Sequence, residues 1–295
     1  MAKSTTNKNE RYLIASDLDW TLLDNNGELK DLTIRTVKKL TKMGHVFCLI
    51  SGRPPQAMID IYNKLGLKSI MVSFNGSLIT NPSSKNFAPI NLCFNFDIVR
   101  KILNDKKLKP LINNCLIENS SGVFVKNVPN DKKLKKEILD SFHIAIDSQR
   151  LVKRISPNFA NVRNHDLHSV LLHIKDKKNL DKVMYELRKF SRTLVTRLWQ
   201  FNNFGYIVEI NSVFASKGNA LKFLSAYYSI DKIHTFSFGD GDNDTDMLHY
   251  AFNGFAMCNG STTAKLSSTY ITKEDNNNCG VARELIRAFK LKNLK

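Results

Sequence analysis

The chain has 295 residues, enough for one large domain or two ordinary ones, and its 42% hydrophobic and 24% charged residues match ordinary soluble composition. No apolar run is long enough to span a bilayer, and the N-terminal "MAKSTTNKNE" lacks the apolar stretch of a secretion signal, so neither a spanning helix nor a signal peptide is expected. The net charge of +17 admits nucleic acid, a membrane surface or an anionic substrate as partner.

Much of that charge lies in helix-like lysine clusters, "NDKKLK" at 104–109 and "DKKLKKE" at 131–137, which read as solvated helix faces. The abundant Lys and Asn also fit a compositional bias of the source genome. A phosphate-bearing small substrate is compatible with either reading. The cysteines (Cys48, Cys93, Cys115, Cys258, Cys279) are odd in number and show no C-x-x-C pairing, as expected of a reduced cytoplasmic protein.

In chain order, "RYLIAS" (11–16), "HVFCLIS" (45–51) and "SIMVSFN" (69–75) are short apolar runs expected to form strands. Between the first two, Ile34, Val37, Leu40 and Met43 recur at helical spacing and Gly44 supplies a stop. The next helix opens at Pro54 and Pro55, carries Met58, Ile61 and Leu65 on one face, and stops at Gly66. This β-α-β-α-β rhythm predicts a parallel sheet covered on both faces.

The rhythm changes at "NPSSKN" (81–86), which is turn chemistry. From there to about residue 210, strand-like "GVFVK", "SVLLHIK", "TLVTRLW" and "GYIVEI" mix with amphipathic helices near 97–104, 131–140 and 178–190. The short "QFNNF" connection predicts a hairpin, and the region reads as an inserted α+β domain. The parallel rhythm then resumes with helix 217–228, strand 234–239, helix 244–251, strand 254–259 and helix 280–290.

In an open α/β sheet, ligands bind beyond the carboxyl ends of the strands. Polar residues of restricted type fall there: Asp17 and Asp19 after the first strand, Ser51, Gly52 and Arg53 after the second, Asn75 and Gly76 after the third, and "GDGDNDTD" (239–246) after "HTFSF". If 17–19 stay extended, both carboxylates lie on one side of the chain. An EF-hand reading of the acidic run fails, because loop positions six and twelve hold Thr245 and Ala251, or Met247 and Asn253 in the other register. A dinucleotide fingerprint fails because its third Gly falls on Asp244. Lys217 opens a helix, where the dipole disfavours a cation; it is either an accident of the surface or shares an anion with the helix end, and the second would explain the placement.

As an ordered set, "DLDWT", "SGR", "ASKGNAL" and "GDGDNDTDML" resemble the four motifs of the haloacid dehalogenase superfamily, and more closely its Cof-like phosphatases. "SFNG", "AMCNGSTTAK" and "CGVARELI" resemble further segments of that subfamily. The resemblance implies an α/β fold with a Rossmann-like parallel-sheet core over 1–82 and 211–295 and an inserted α+β cap over 83–210. One departure is Trp20, where the subfamily commonly has Gly; a bulky indole there would narrow the pocket or touch the cap.

The resemblance further implies a Mg²⁺-dependent phosphatase acting on a small phosphorylated metabolite, a sugar phosphate or phosphorylated cofactor, or a phosphomutase using the same residues. Asp17 would be the nucleophile, forming an aspartyl-phosphate, and Asp19 the general acid and base. Mg²⁺ would take oxygens from Asp17, the Asp19 backbone carbonyl and Asp240, with Asp244 holding bound water or a neighbour. Ser51, the Gly52 amide, Asn243 and Lys217 would cradle the phosphate, and Thr21 would brace the loop. Asn75 either reaches the site or only shapes a turn; Arg53 either faces the substrate or pairs with the cap. Asp242 and Asp246 read as solvated or capping residues. His165, His168 and His173 read as satisfied or surface histidines, since no thiolate lies nearby to make a zinc site. Trp199, Phe201 and Phe204 read chiefly as core aromatics, with substrate contact the minority option. A nucleic-acid-binding protein is the rival reading, and the spread of charge over several helices argues against it.

Overall fold

The computed structural model describes residues 10–119, 122–127, 152–155, 162, 167–201 and 205–292. The helix expected near 131–140, His165 and Phe204 lie outside these residues, as do the side chains of Trp199 and Phe201.

The elements in chain order are β1 (Leu13–Ser16), α1 (Asp31–Lys42), β2 (Val46–Leu49), α2 (Ile59–Leu65), β3 (Met71–Ser73), β4 (Leu78–Thr80) and β5 (Ile90–Asn91). Next come α3 (Phe96–Asn104), β6 (Asn114–Asn119), β7 (Gly122–Val125), β8 (Val152–Arg154), β9 (Leu167–Ile174), α4 (Lys177–Leu187), β10 (Leu194–Phe201) and β11 (Gly205–Ser212). The chain ends with α5 (Lys217–Tyr227), β12 (Thr235–Gly239), α6 (Thr245–Tyr250), β13 (Asn253–Ala256), α7 (Thr262–Ser267), β14 (Tyr270–Ile271) and α8 (Gly280–Ala288). Two compact units result, Met1–Ile90 with Ser216–Lys295, and Asn91–Ala215.

In the first unit a five-stranded sheet runs in the order β14-β13-β12-β1-β2, every pairing parallel. Period two sends alternate side chains to opposite faces. Ile14, Phe47, Leu49, Phe236, Phe238 and Phe255 share one buried cluster with Val37 and Leu40 of α1 and Val281 and Leu285 of α8. Leu13, Ala15, Val46, Cys48 and Ile50 share another with Ala220, Leu221 and Leu224 of α5 and Met247 of α6. Both faces are therefore covered, which is why β1, β2, β12 and β13 are buried at every position. Each large side chain buried there contributes about 1.5–3 kcal/mol, so the strand ends rest on a firm base.

Register brings the functional ends together. Ser16 pairs with Leu49 on one side and Phe238 on the other, so the segments after β1, β2 and β12 leave one edge of the sheet. The run 69–75 behaves differently from its neighbours. Its strand β3 pairs antiparallel with β4 in a small sheet, and meets the parallel sheet through the single bridge Ile50–Val72. Helix α2 is preceded by a 3₁₀ turn at Pro55–Ala57 and buries Met58, Tyr62 and Leu65, leaving Ile61 half-buried. Gly66 ends it at φ 67°, a left-handed conformation that glycine adopts without steric cost.

The second unit is built on a six-stranded sheet, β10-β11-β9-β6-β7-β8, antiparallel except for β7 with β8. Phe201 pairs with Gly205, closing the expected hairpin. Cys115, Ile117, Val170, Leu172, Val208 and Ile210 pack with Phe96, Val99 and Ile102 of α3 and Val183 and Leu187 of α4. By parity, Glu118, Ser169 and Glu209 lie on the opposite face. Among the described residues, no helix is long and apolar enough to cross a membrane.

Candidate active site

Asp17 directly follows β1, and its amide still pairs with the Phe238 carbonyl at 3.0 Å, so the carboxylate is launched from the end of a buried strand. Asp19 is not on an extension of that strand. The backbone turns through an irregular helical segment at Leu18–Leu22, and Trp20 takes φ 57°, ψ 5°. The expected side-by-side placement of two carboxylates on extended chain is thereby replaced: Asp17 is buried, whereas Asp19 is half-exposed and turned to Arg53.

Arg53 makes a bidentate pair with Asp19, Nε to Oδ2 at 2.8 Å and Nη2 to Oδ1 at 2.5 Å. Its Nη1 also donates to the Ala57 carbonyl at 3.4 Å. Its partner is therefore an acid of the motif itself, a third arrangement beside the two the sequence left open. Two parallel charge-assisted bonds fix both the position and the plane of the Asp19 carboxylate.

Lys217 is fully buried and donates to Asp17 Oδ1 at 2.7 Å and Asp244 Oδ1 at 2.6 Å. Its position at a helix start is explained by these two carboxylates. The Ser216 side chain caps the same helix by accepting from the Asn219 amide at 3.0 Å. Asp244 Oδ2 accepts from the backbone amides of Asp240 and Gly241 at 3.0 and 2.9 Å, so both its oxygens are engaged within the protein. Asp240 Oδ1 accepts from Thr21 Oγ1 at 2.7 Å, which gives Thr21 the bracing role expected of it.

Ser51 is buried at the end of β2, and its hydroxyl accepts from the Arg53 amide at 3.2 Å. Asn75 shapes the turn and also meets the acidic loop. It turns the chain at φ 56°, and its Oδ1 accepts from Asn243 Nδ2 at 2.9 Å, joining the third strand end to the acidic loop. A side chain at Gly52 would press on Asn75, 3.3 Å away. Gly76 is more restricted still: it stands at φ 103°, and a Cβ there would meet the Ser216 carbonyl at 2.5 Å. This close approach seats the cap of α5, and with it Lys217, against the third strand end.

Asp17, Asp240 and Asp244 offer oxygens within 4.8 Å of one another. Against these three acids stands one buried ammonium. Burial raises the Asp17 carboxyl well above its ordinary range; Lys217 opposes the shift, while Asp244, Asp240 and Asp19 reinforce it. Burial, then the charge of Asp244, push Asp240 up to about 7 against the Thr21 hydrogen bond and Lys217. For Lys217, burial opposes the charge, but Asp17 and Asp244 outweigh it and hold the ammonium protonated. Three carboxyl groups on hard oxygens thus face a single ammonium, and their ionised forms lack counter-charge, which suits a divalent cation. Asp17 and Asp240 are best placed to hold one, since Asp244 is committed to Lys217 and two amides. Asp242 and Asp246 are exposed: Asp242 accepts from Ser261 Oγ, and Asp246 from the Met247 amide. Among the described residues this is the group of three potential metal ligands, and His168 and His173 are not part of it.

Residues 14–285 match the haloacid dehalogenase-like hydrolase family. The chain belongs to that family. The hydrolase is 28% identical over 290 residues to the 5-amino-6-(5-phospho-D-ribitylamino)uracil phosphatase of Bacillus subtilis, covering 95% of this chain and 98% of that one. Its fold is also that of a haloacid dehalogenase-like hydrolase from Bacteroides thetaiotaomicron, with TM-score 0.76 and 23% identity over 95% of this chain and 100% of the other. A crystal structure from Thermotoga maritima gives TM-score 0.75 at 22% identity, over 94% and 97% of the two chains.

Sequence reasoning missed the partners rather than the residues. The Arg53–Asp19 pair, the Asn75–Asn243 bond and the double engagement of Asp244 all join segments far apart in the chain. Only Asn75 carried a local signal, since Asn before Gly favours a left-handed turn.

Proposed function

We propose that the protein is a Mg²⁺-dependent phosphatase that hydrolyses a small phosphorylated metabolite through an aspartyl-phosphate. The observation that carries this reading is the buried meeting of Asp17, Lys217 and Asp244, with Asp240 beside them. When bound, a divalent cation would supply positive charge between the Asp17 carboxylate and the phosphate it attacks.

Asp17 attacks phosphorus; the new P–O bond to Asp17 forms as the ester P–O bond breaks. The leaving alkoxide takes a proton from Asp19. Water then attacks the aspartyl-phosphate, gives its proton to Asp19 and releases inorganic phosphate with Asp17 restored. Lys217 holds Asp17 in line and offsets charge in the transition state. The Ser51 hydroxyl, the Gly52 amide and the Asn243 side chain bind the phosphoryl oxygens. Proton transfer at Asp19 requires one of its oxygens to leave the Arg53 guanidinium, so Arg53 acts as a positioning residue. Residues 91–215 act as the substrate-selecting cap. The five free cysteines agree with a reducing, cytoplasmic location.

The relative from Bacillus subtilis is named for a ribitylaminouracil phosphate, and that compound belongs in the substrate panel beside sugar phosphates and nucleotides. The test is phosphate release from the panel by the native chain and by Asp17→Asn. The native protein is expected to release phosphate with Mg²⁺ and the variant to release none while melting at a similar temperature. Normal turnover by Asp17→Asn overturns the nucleophile assignment. Free phosphate from a hexose phosphate, rather than its isomer, separates hydrolysis from a phosphomutase.

A further inference from the structure

Trp20 occupies a backbone conformation, φ 57° and ψ 5°, that costs a side-chain-bearing residue energy and glycine none. The cost is not offset by core packing, because Trp20 is 53% exposed. Strain retained without burial points to a use for the side chain itself.

The indole borders a cavity of about 300 Å³ whose other walls are Asn25, Asp240, Asn259 and the run Asp275–Asn277. That volume is at the lower end of small-ligand sites. The walls are cross-braced. Asn259 Nδ2 donates to the Trp20 carbonyl at 2.8 Å and so holds the turn that projects the indole. Buried Asn276 donates from Nδ2 to the Leu23 carbonyl at 3.0 Å and to Asn25 Oδ1 at 2.9 Å. The Asn25 amide donates to Asn277 Oδ1 at 3.0 Å. One aromatic face, several side-chain amides and a carboxylate, held rigidly beside Asp240, complement a planar ring bearing N–H and C=O groups.

We infer that Trp20 determines specificity: its indole stacks on a planar, hydrogen-bonding heterocycle of the phosphate ester, and the amides of Asn25 and Asn277 bond the ring's edge. This rests on the phosphatase reading and goes past it by naming the class of leaving group.

The chain has two tryptophans, so Trp199→Phe leaves Trp20 as the reporter of its own pocket. In that background, with Asp17→Asn to prevent turnover and Mg²⁺ present, uridine monophosphate is expected to quench Trp20 emission saturably and ribose 5-phosphate to leave it unchanged. In the native background, Trp20→Gly is expected to lower the ratio of kcat/KM for uridine monophosphate to that for ribose 5-phosphate by about tenfold or more, the range of base–aromatic stacking. Trp20→Phe should keep most of the ratio. Glycine suits the left-handed backbone, so Trp20→Gly should retain the native melting temperature within a few degrees. Absence of quenching, or an unchanged ratio, overturns the proposal. Should the native protein hydrolyse neither ester, the phosphatase reading fails on these substrates while the quenching experiment still decides whether the pocket takes a ring.

Discussion

Lys217 and Asp17 stand 200 residues apart in sequence and 2.7 Å apart in space, with the ammonium fully buried. A charge in such a place is stable only with its partners, and here both partners are acids at the sheet edge.

Removing that ammonium leaves Asp17 and Asp244 buried without a counter-charge. Lys217→Met is expected to lower unfolding free energy by about 3–5 kcal/mol, read by urea denaturation at neutral pH. The double variant Lys217→Met with Asp244→Asn should recover part of the loss, because one stranded carboxylate is gone. Equal stability of the two variants would contradict the pairing.

The same excess of acid predicts metal linkage apart from turnover. Mg²⁺ at about one hundred times its dissociation constant is expected to raise stability by about 2.7 kcal/mol, seen as a higher melting temperature. EDTA should abolish both this rise and phosphate release. Asp240→Asn should remove the rise; a shift that survives the substitution would place the ion elsewhere.

Arg53 and Asp19 test positioning against stability. Their side chains are 28% and 45% exposed, and such pairs contribute less than about 1 kcal/mol to folding. Arg53→Ala should therefore melt near the native temperature, yet lose on the order of tenfold in kcat/KM as Asp19 becomes free to turn. An unchanged rate would show that the pair does not orient Asp19.

Glu118 gives the inserted unit a pH signature. Burial and the charge of Glu209 push its carboxyl from the ordinary 4.5 up to about 8, with only the Ser169 hydrogen bond opposing. The folded chain keeps this proton where the unfolded chain has lost it. Stability contributed by the neutral form is full below pH 4.5 and declines as pH rises toward 8, by at most about 1.4 kcal/mol per unit. Glu118→Gln should flatten that slope in urea titrations and melt above the native protein at pH 8. An identical slope in both proteins would refute the assignment.

Much of the architecture is legible in the sequence because its causes are local. Apolar runs buried on both sheet faces, Gly44 and Gly66 as helix stops, and the pairing of β10 with β11 each follow from residues within a few positions. Weak local signals were lost: "NCLIEN" becomes a central strand, and α7 and β14 are too short to show a period.

The sequence by itself determined which residues stand at the strand ends, since period and turn chemistry fix where a buried strand must stop. Only the tertiary structure decided their partners: Arg53 to Asp19, Lys217 to Asp17 and Asp244, Thr21 to Asp240, Asn243 to Asn75. Local preferences end within a turn or two of chain, whereas hydrogen bonds and charge pairs act between whatever the parallel register of β12, β1 and β2 brings within about 3 Å.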